Sequence, residues 1–414
     1  MTDVPSAPLE IAYLSQQFPV ATETFAASDI AALMALGHRV TVYTVKPRPR
    51  DEQELRDLCD VPAGLIIDRP GITSALIWPL RFWRQRRSVV ALLWKIMNKG
   101  SKAPRTAIEA ILCMPRLLEI ADRVRSRRCD VAHAFWSRHV GLVLPLLDVE
   151  QAPPLRSAFV GAYDLIADDF LVDLTLNAAE VVFSHAEANR DYIERKAPEG
   201  ALRRIVNRGI PLPPVPNDDK LAPFRFVTAS ALVPSKNVEG VIRAFAGLFR
   251  HEPRATLRIF GDGPDKARLQ SIAESLDCGP AITFGGHISR SELFSELQEA
   301  GTFILLSTKP SERLPNVVKE ALWAGCSVIS SNSIGIEQLI PDEGIGSVVD
   351  PSDVEAVDRA MSKAVGGSEQ TATLRRERAR ALIRENFSSE RSMQRYVDAW
   401  REAIARRQRA PHRR

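Results

Sequence analysis

Glu312 and Glu320 stand eight positions apart in ERLPNVVKEA, and a third carboxylate, Glu337, follows the next apolar run. Ionised carboxylates accept hydrogen bonds from hydroxyl groups, so a pair of them suits a polyhydroxylated ligand. Between the two lies Leu314-Pro315-Asn316, which reads as a helix start: proline is tolerated in the first turn and Asn316 is a good cap. Val317, Val318, Ala321 and Leu322 then share the inner face of that helix. A helix opening at the carboxyl end of the strand TFILLS aims the peptide nitrogens of Leu314, Asn316 and Val317 at an anion, holding a diphosphate without a metal. Carboxylates on either side of a diphosphate match a nucleotide sugar, with the hexose at one end and the ribose at the other.

Residues this far apart in chemistry need a scaffold, and the chain supplies a repetitive one. Short β-branched runs alternate with longer amphipathic segments: IAYLS, RVTVYTV, DVAHAF and EVVFS, then FRFVTAS, ATLRIF, AITFGG, TFILLS and CSVISS. This is the βαβ pattern of parallel sheets covered by helices. At 414 residues the chain exceeds one hydrophobic core, so two α/β domains are expected, Rossmann-like and doubly wound, with a ligand cleft between them. The break falls in GIPLPPVPNDDKLAP, residues 209 to 223, where five prolines exclude helix and central strand. The last segment, from Ser388, forms an amphipathic helix capped by Ser388 or Ser389, with Met393, Tyr396, Val397, Trp400 and Ile404 on one face.

Composition excludes several classes. Five cysteines with no C-x-x-C pair argue against a disulfide framework and a zinc site. A net charge of +4 gives no reason to expect a nucleic-acid partner. The first fifteen residues lack the features of a signal peptide, and no apolar stretch approaches the roughly 20 residues of a membrane span. A reducing cytoplasm is expected, with any membrane met from one side.

The segment ERLPNVVKEA, the strand GCSVISS and the turn Gly335-Ile336-Glu337 together resemble the retaining family 4 glycosyltransferases of the GT-B fold. The likeness extends along the chain through YLSQQFPVATETFAASDIAALMALGHRVTVYT, DVAHAFW, VVFSHAEANRDYI, IVNRGIPL, ALVPSKNVEGVIRAF and FGDGP, in the family's order, as in members that build bacterial exopolysaccharide or lipopolysaccharide. It implies an acceptor-binding domain over 1–210, joined by the returning helix 388–407, and a nucleotide-sugar-binding domain over 211–387. It also implies transfer of a hexose from a UDP-sugar or GDP-sugar to a saccharide acceptor, lipid-linked, with retention and with neither metal nor other cofactor. Glu312 would contact the donor sugar and Lys236 the diphosphate, both as catalytic groups. Glu320 would hold the ribose, and Gly261 would lie beside the donor.

Two positions depart from the family. Gly161 stands where its T-A-H-x-Y-D stretch has a histidine, leaving Tyr163 and Asp164 as the matches, and Ala231 replaces an arginine of the diphosphate site. Arg313 is a candidate replacement cation. These losses favour the alternative, a noncatalytic relative that binds nucleotide sugar or glycan as a scaffold; an epimerase on the same fold is the third reading. On the acceptor side, Thr22, Glu23, Thr24 and His133 lie near strand ends, although helix capping accounts for Thr22 or Thr24 as well. Asp168-Asp169 lacks the D-x-D spacing of a metal-dependent transferase.

From Arg69 to Ile108 the chain has nine Lys or Arg and no acidic residue, interleaved with Trp78, Phe82, Trp83 and Trp94. That mixture suits an anionic membrane surface, whereas the plain reading is a solvated helix whose aromatic residues enter the core.

Overall fold

The computed structural model describes residues 7–20, 24–71, 73–148, 153–161, 164, 169–215, 221–309 and 312–409, without the side chains of 73–76. Thr22, Glu23, Tyr163 and Asp168 lie outside the described residues. The chain divides into two compact units, residues 1–208 with 392–414 and residues 209–391.

In the first unit the strands are β1 (Glu10–Ser15), β2 (Arg39–Thr44), β3 (Ile66–Asp68), β4 (Val131–Phe135), β5 (Leu155–Phe159), β6 (Val181–Ser184) and β7 (Leu202–Ile205). They pair in the order β3-β2-β1-β4-β5-β6-β7, all parallel. The second unit has β8 (Ala222–Ala229), β9 (Thr256–Phe260), β10 (Ile282–Gly286), β11 (Ala300–Leu305), β12 (Ser327–Ser331) and β13 (Gly346–Val349). Their order is β10-β9-β8-β11-β12-β13, again all parallel. Covered on both faces, the central strands are buried along their length rather than on alternate residues, and all of β4 and β12 is buried.

Each sheet is laid down outward in one direction and then restarts on the other side of its first strand, so the winding reverses between β1 and β4 and between β8 and β11. Loops leaving the carboxyl ends of those pairs diverge to opposite faces and leave a crevice, the usual place for a ligand in an open α/β sheet. In the second unit these loops carry Lys236 and Glu312. In the first they include Trp136.

The final helix, Ser389–Arg409, belongs from residue 392 to the first unit. Met393, Tyr396, Val397 and Trp400 join the core behind β1, β4, β5 and β6, with Ile404 packed at its edge. Tyr396 stacks on Phe183 at 3.7 Å, and Trp400 Nε1 donates to Ser157 Oγ at 2.9 Å. Ser388 Oγ accepts from the Arg391 amide at 3.3 Å, capping the helix start. The described part of the proline-rich run is fastened to the second unit: the Ile210 amide donates to Phe387 O at 2.7 Å, and Trp323 Nε1 donates to Pro213 O at 3.0 Å.

Candidate functional site

The loop after β8 ends in a single tight turn, Pro234–Lys236, followed by Asn237 in the left-handed region at φ +48. Asn237 caps the helix Val238–Phe249 by accepting from the Gly240 amide at 3.2 Å, which fixes the backbone direction of Lys236 next to it. The loop after β11 is tied to the same place, because the Thr308 amide and Ser307 Oγ both donate to Ser235 O, at 2.9 and 3.2 Å. These ties bring together two residues 76 positions apart: Lys236 Nζ donates to both carboxylate oxygens of Glu312, at 2.6 and 2.7 Å. The two side chains are only 16% and 14% exposed, so the pair is shielded from water and held. An ammonium has three N–H groups, which leaves one of Lys236's for a ligand.

Downstream, Leu314 is buried with φ +49, a conformation that costs a non-glycine residue about 1–3 kcal/mol and is kept where a site needs the chain re-aimed. It turns the backbone into the helix Asn316–Ala324. Here the sequence expectation needs correction. Pro315, not Asn316, occupies the cap position, since its fixed φ suits the entry and it has no N–H to satisfy. Asn316 instead turns its Oδ1 back along the helix to accept from Lys319 Nζ at 3.0 Å, a lysine that is 1% exposed and lies over the Phe387 ring. Val317 is half-exposed rather than part of the inner face, which Val318, Ala321 and Leu322 supply. The Val318 amide is already committed to Pro315 O at 3.2 Å. Among the described residues the Asn316 and Val317 amides meet no protein acceptor, so two N–H groups open the helix toward an anion.

Glu320 is not a solvated helix glutamate. It accepts from Arg290 Nε at 2.8 Å and is 12% exposed, which orients its carboxylate at the edge of the same surface. Sequence reasoning missed Arg290. Its helix start was legible, because Ser289 and Glu292 form a reciprocal capping box around it, but its distance from Glu320 was not. Arg313 is half-buried on the Glu312 turn, and Ala231 is exposed. Glu337 is exposed on the turn after β12, whose Gly335, at φ +90, lies against Leu314. A pocket of about 600 Å³ opens beside the pair, lined by Asn237, Ser307, Thr308, Lys309, Asn332 and Asp350; the Lys309 carbonyl also accepts the Glu312 amide at 3.0 Å.

Gly261 has a scaffold role of its own. Its amide is spent on Gly286 O at the end of β10, at 2.7 Å, and a Cβ there would lie 1.8 Å from Ser230 O, so only glycine lets the loops after β8 and β9 touch.

In the first unit, His133 is corrected to a core residue. It is 2% exposed, shares Ser157 Oγ with Trp400 at 2.9 Å and sits among Tyr13, Phe183, Tyr396 and Trp400. Burial, with the nearby Arg208 cation adding to it, pushes its pKa down to about 3. Asp164 is likewise buried and accepts from the Gly161 amide at 3.0 Å, closing a turn. Thr24 opens the helix Thr24–Ala35, and its carbonyl accepts from Ser28 Oγ at 3.4 Å. Gly161 has a steric explanation: a Cβ at this position would fall 2.2 Å from the Trp136 ring. Trp136, at φ +70 beyond β4 and packed edge-on against Phe25, Phe135 and Phe159, fills the space a histidine side chain would take.

The basic stretch forms the helix Thr73–Lys99, kinked at Gln85, and the start of Pro104–Ser126. Its tryptophans stay out of the core: Trp78, Trp83 and Trp94 are 40%, 64% and 66% exposed, continued by Val90, Met97, Ile108 and Leu112. Phe82 does pack on the core, and two cations turn inward, Arg69 to Glu52 at 3.0 Å and Arg81 to Glu119 at 3.1 Å. No helix among the described residues is long and apolar enough to cross a membrane.

Residues 216–381 match the family described as Glycosyl transferases group 1. That match lies within the second unit. Over 136 residues the chain is 32% identical to an exopolysaccharide phosphotransferase of Streptomyces coelicolor, covering 33% of this chain and 14% of that protein. Over 153 residues the chain is 31% identical to the GDP-mannose-dependent alpha-(1-6)-phosphatidylinositol monomannoside mannosyltransferase of Mycolicibacterium smegmatis, covering 36% of this chain and 40% of the relative. The matches thus span well under half of either curated relative. Anabaena HepE in complex with UDP has the same fold, with a TM-score of 0.66 over 95% of this chain and 100% of that one at 15% identity. The two Rossmann-like parallel-sheet units thus share the GT-B fold, and the region that matches the group 1 family lies in the second of them.

Proposed function

We propose that this chain is a retaining glycosyltransferase that moves a hexose from a nucleotide diphosphate sugar to a lipid-linked saccharide acceptor in bacterial surface polysaccharide synthesis. The observation that carries this reading is the shielded Lys236–Glu312 pair beside the open Asn316 and Val317 amides, at the reversal of the second sheet. The diphosphate takes those two amides and the third N–H of Lys236, Glu312 accepts from the hexose hydroxyls, and Glu320, oriented by Arg290, accepts from the ribose. As the bond between the anomeric carbon and the phosphate oxygen breaks, that oxygen gains charge where these donors already point, which stabilises the transition state. The acceptor oxygen bonds to the anomeric carbon on the same face, and its proton passes to the departing phosphate oxygen. No protein base at position 161 is needed on this path, and the charge on the diphosphate is met by amides and a lysine in place of a metal.

The name of the mycolicibacterial relative supports a GDP-sugar and a lipid acceptor, while the Anabaena complex supports UDP. A thermal-shift screen of UDP, GDP and their sugars, followed by donor hydrolysis, tests the reading. One nucleotide diphosphate should raise the melting temperature, and its sugar should be slowly hydrolysed. Stabilisation with no turnover under any acceptor would instead favour the scaffold reading prompted by Gly161 and Ala231.

The exposed Trp83, Trp94 and Leu112 with Arg84, Arg86, Arg87, Lys95 and Lys102 around them form the surface we assign to the anionic cytoplasmic leaflet. Each basic residue near such a surface adds about 1 kcal/mol, and Arg86 lies 5.7 Å above the Trp83 ring. Phosphatidylglycerol vesicles at low salt should sediment the protein, and Trp83→Ser with Trp94→Ser should cut the bound fraction at least fivefold. Equal capture by neutral vesicles, or no change in the double variant, rejects the assignment.

A further inference from the structure

A second pocket, of about 270 Å³, lies at the opposite end of the second sheet, lined by Gly301, Ser327 and Gly346 at the starts of β11, β12 and β13. Strands of five or six residues at about 3.3 Å each put it some 15–20 Å from the Lys236–Glu312 pair. One wall is the helix Glu369–Asn386, and four cations line the cavity: Lys363, Arg375, Arg376 and Arg378. Three have carboxylate partners, Lys363 with Glu343 at 2.6 Å, Arg376 with Glu369 at 2.5 Å and Arg378 with Asp342 at 2.8 Å.

Arg375 has none. Among the described residues it makes no ion pair or hydrogen bond, and its Nε is buried with no acceptor. Glu369, the carboxylate in electrostatic reach, closes on Arg376. A guanidinium carries five donors in a fixed fork and does not shed its proton, so leaving it half-buried and unpaired opposes folding. Burial and the neighbouring Arg376 cation together disfavour its charged form. A cation retained under those conditions beside a cavity is short of one partner, and the fork matches a tetrahedral or planar oxyanion bidentately.

We propose that this pocket is a binding site for a phosphate oxyanion, free or as the phosphoryl end of a small metabolite, anchored by Arg375. Arg376 and Arg378 lend positive potential, while their own carboxylates keep the site from over-attracting anions. The proposal is independent of the transferase reading, since it invokes no residue of the donor site.

Inorganic phosphate is the probe, added to the full chain at constant ionic strength with chloride as the comparison, and thermal melting is the readout. Phosphate should raise the melting temperature saturably, and Arg375→Met should abolish the rise. Without phosphate that variant should melt at or above the parent temperature, because it removes an unpaired half-buried charge. Arg375→Lys, which keeps the charge but loses the fork, should weaken phosphate at least tenfold. Lys236→Ala, altered only at the donor site, should keep the full response. A glycolytic sugar phosphate tested beside inorganic phosphate distinguishes the two sources: tighter binding of either names the source. An equal rise with chloride, a rise that survives Arg375→Met, or its loss in Lys236→Ala would each overturn the site.

Discussion

Lys236→Ala is expected to lower kcat/KM for sugar transfer by about 30- to 1,000-fold, the effect of removing one preorganised donor worth about 2–4 kcal/mol to the departing diphosphate. Glu312→Gln keeps the shape and removes the charge, and it should cost a similar factor through the sugar hydroxyls. Each single change also strands its partner: Lys236 and Glu312 are both largely shielded, so the remaining charge is left uncompensated and the second unit should lose stability. The double variant Lys236→Met, Glu312→Leu separates the two effects. Its melting temperature should recover relative to either single variant, whereas activity should stay at the lower level, because two residues that act as a unit are not additive. Full activity in Lys236→Ala, with the nucleotide thermal shift intact, would remove the pair from the mechanism.

The second large effect belongs to stability. Trp400 is fully buried, hydrogen-bonded to Ser157 and surrounded by His133, Phe183 and Tyr396. Trp400→Ala should therefore destabilise the first unit by about 3–5 kcal/mol, read from denaturant unfolding of that unit. The same cluster predicts acid lability. His133 is neutral in the fold with a pKa near 3, against about 6.5 when unfolded, so the unfolded chain binds more protons between those values. Stability from this group is complete above pH 6.5 and falls by about 1.4 kcal/mol per pH unit as pH drops toward 3. His133→Gln should flatten that slope whatever it does to stability at neutral pH. An unchanged slope would show that other groups govern the acid limb.

These two effects sit at different depths of what a sequence reveals. Nine of the thirteen described strands and the inner face of the last helix were legible, because each is a local matter of periodicity and caps; β3, β5, β7 and β13 were not marked out. Also legible was the arrangement around residues 312–320: carboxylates flanking a helix start. The capping role of Asn316 was misread, since proline's geometry took the cap and Lys319 Nζ claimed the Asn316 side-chain oxygen. The exposure of the tryptophans could be framed only as one of two alternatives.

What the tertiary structure alone decided is who meets whom. Lys236 reaches Glu312, and Arg290 reaches Glu320, because the winding of the second sheet reverses between β8 and β11. His133 and Trp136 follow the same rule in opposite senses. One is drawn under the returning helix and lost to the site; the other is turned, at positive φ, into the room that Gly161 leaves. Local pattern is encoded within a few residues and can be read there. Proximity across 30 to 240 residues depends on strand order and on which face each connection takes, and those are set by packing the whole core at once.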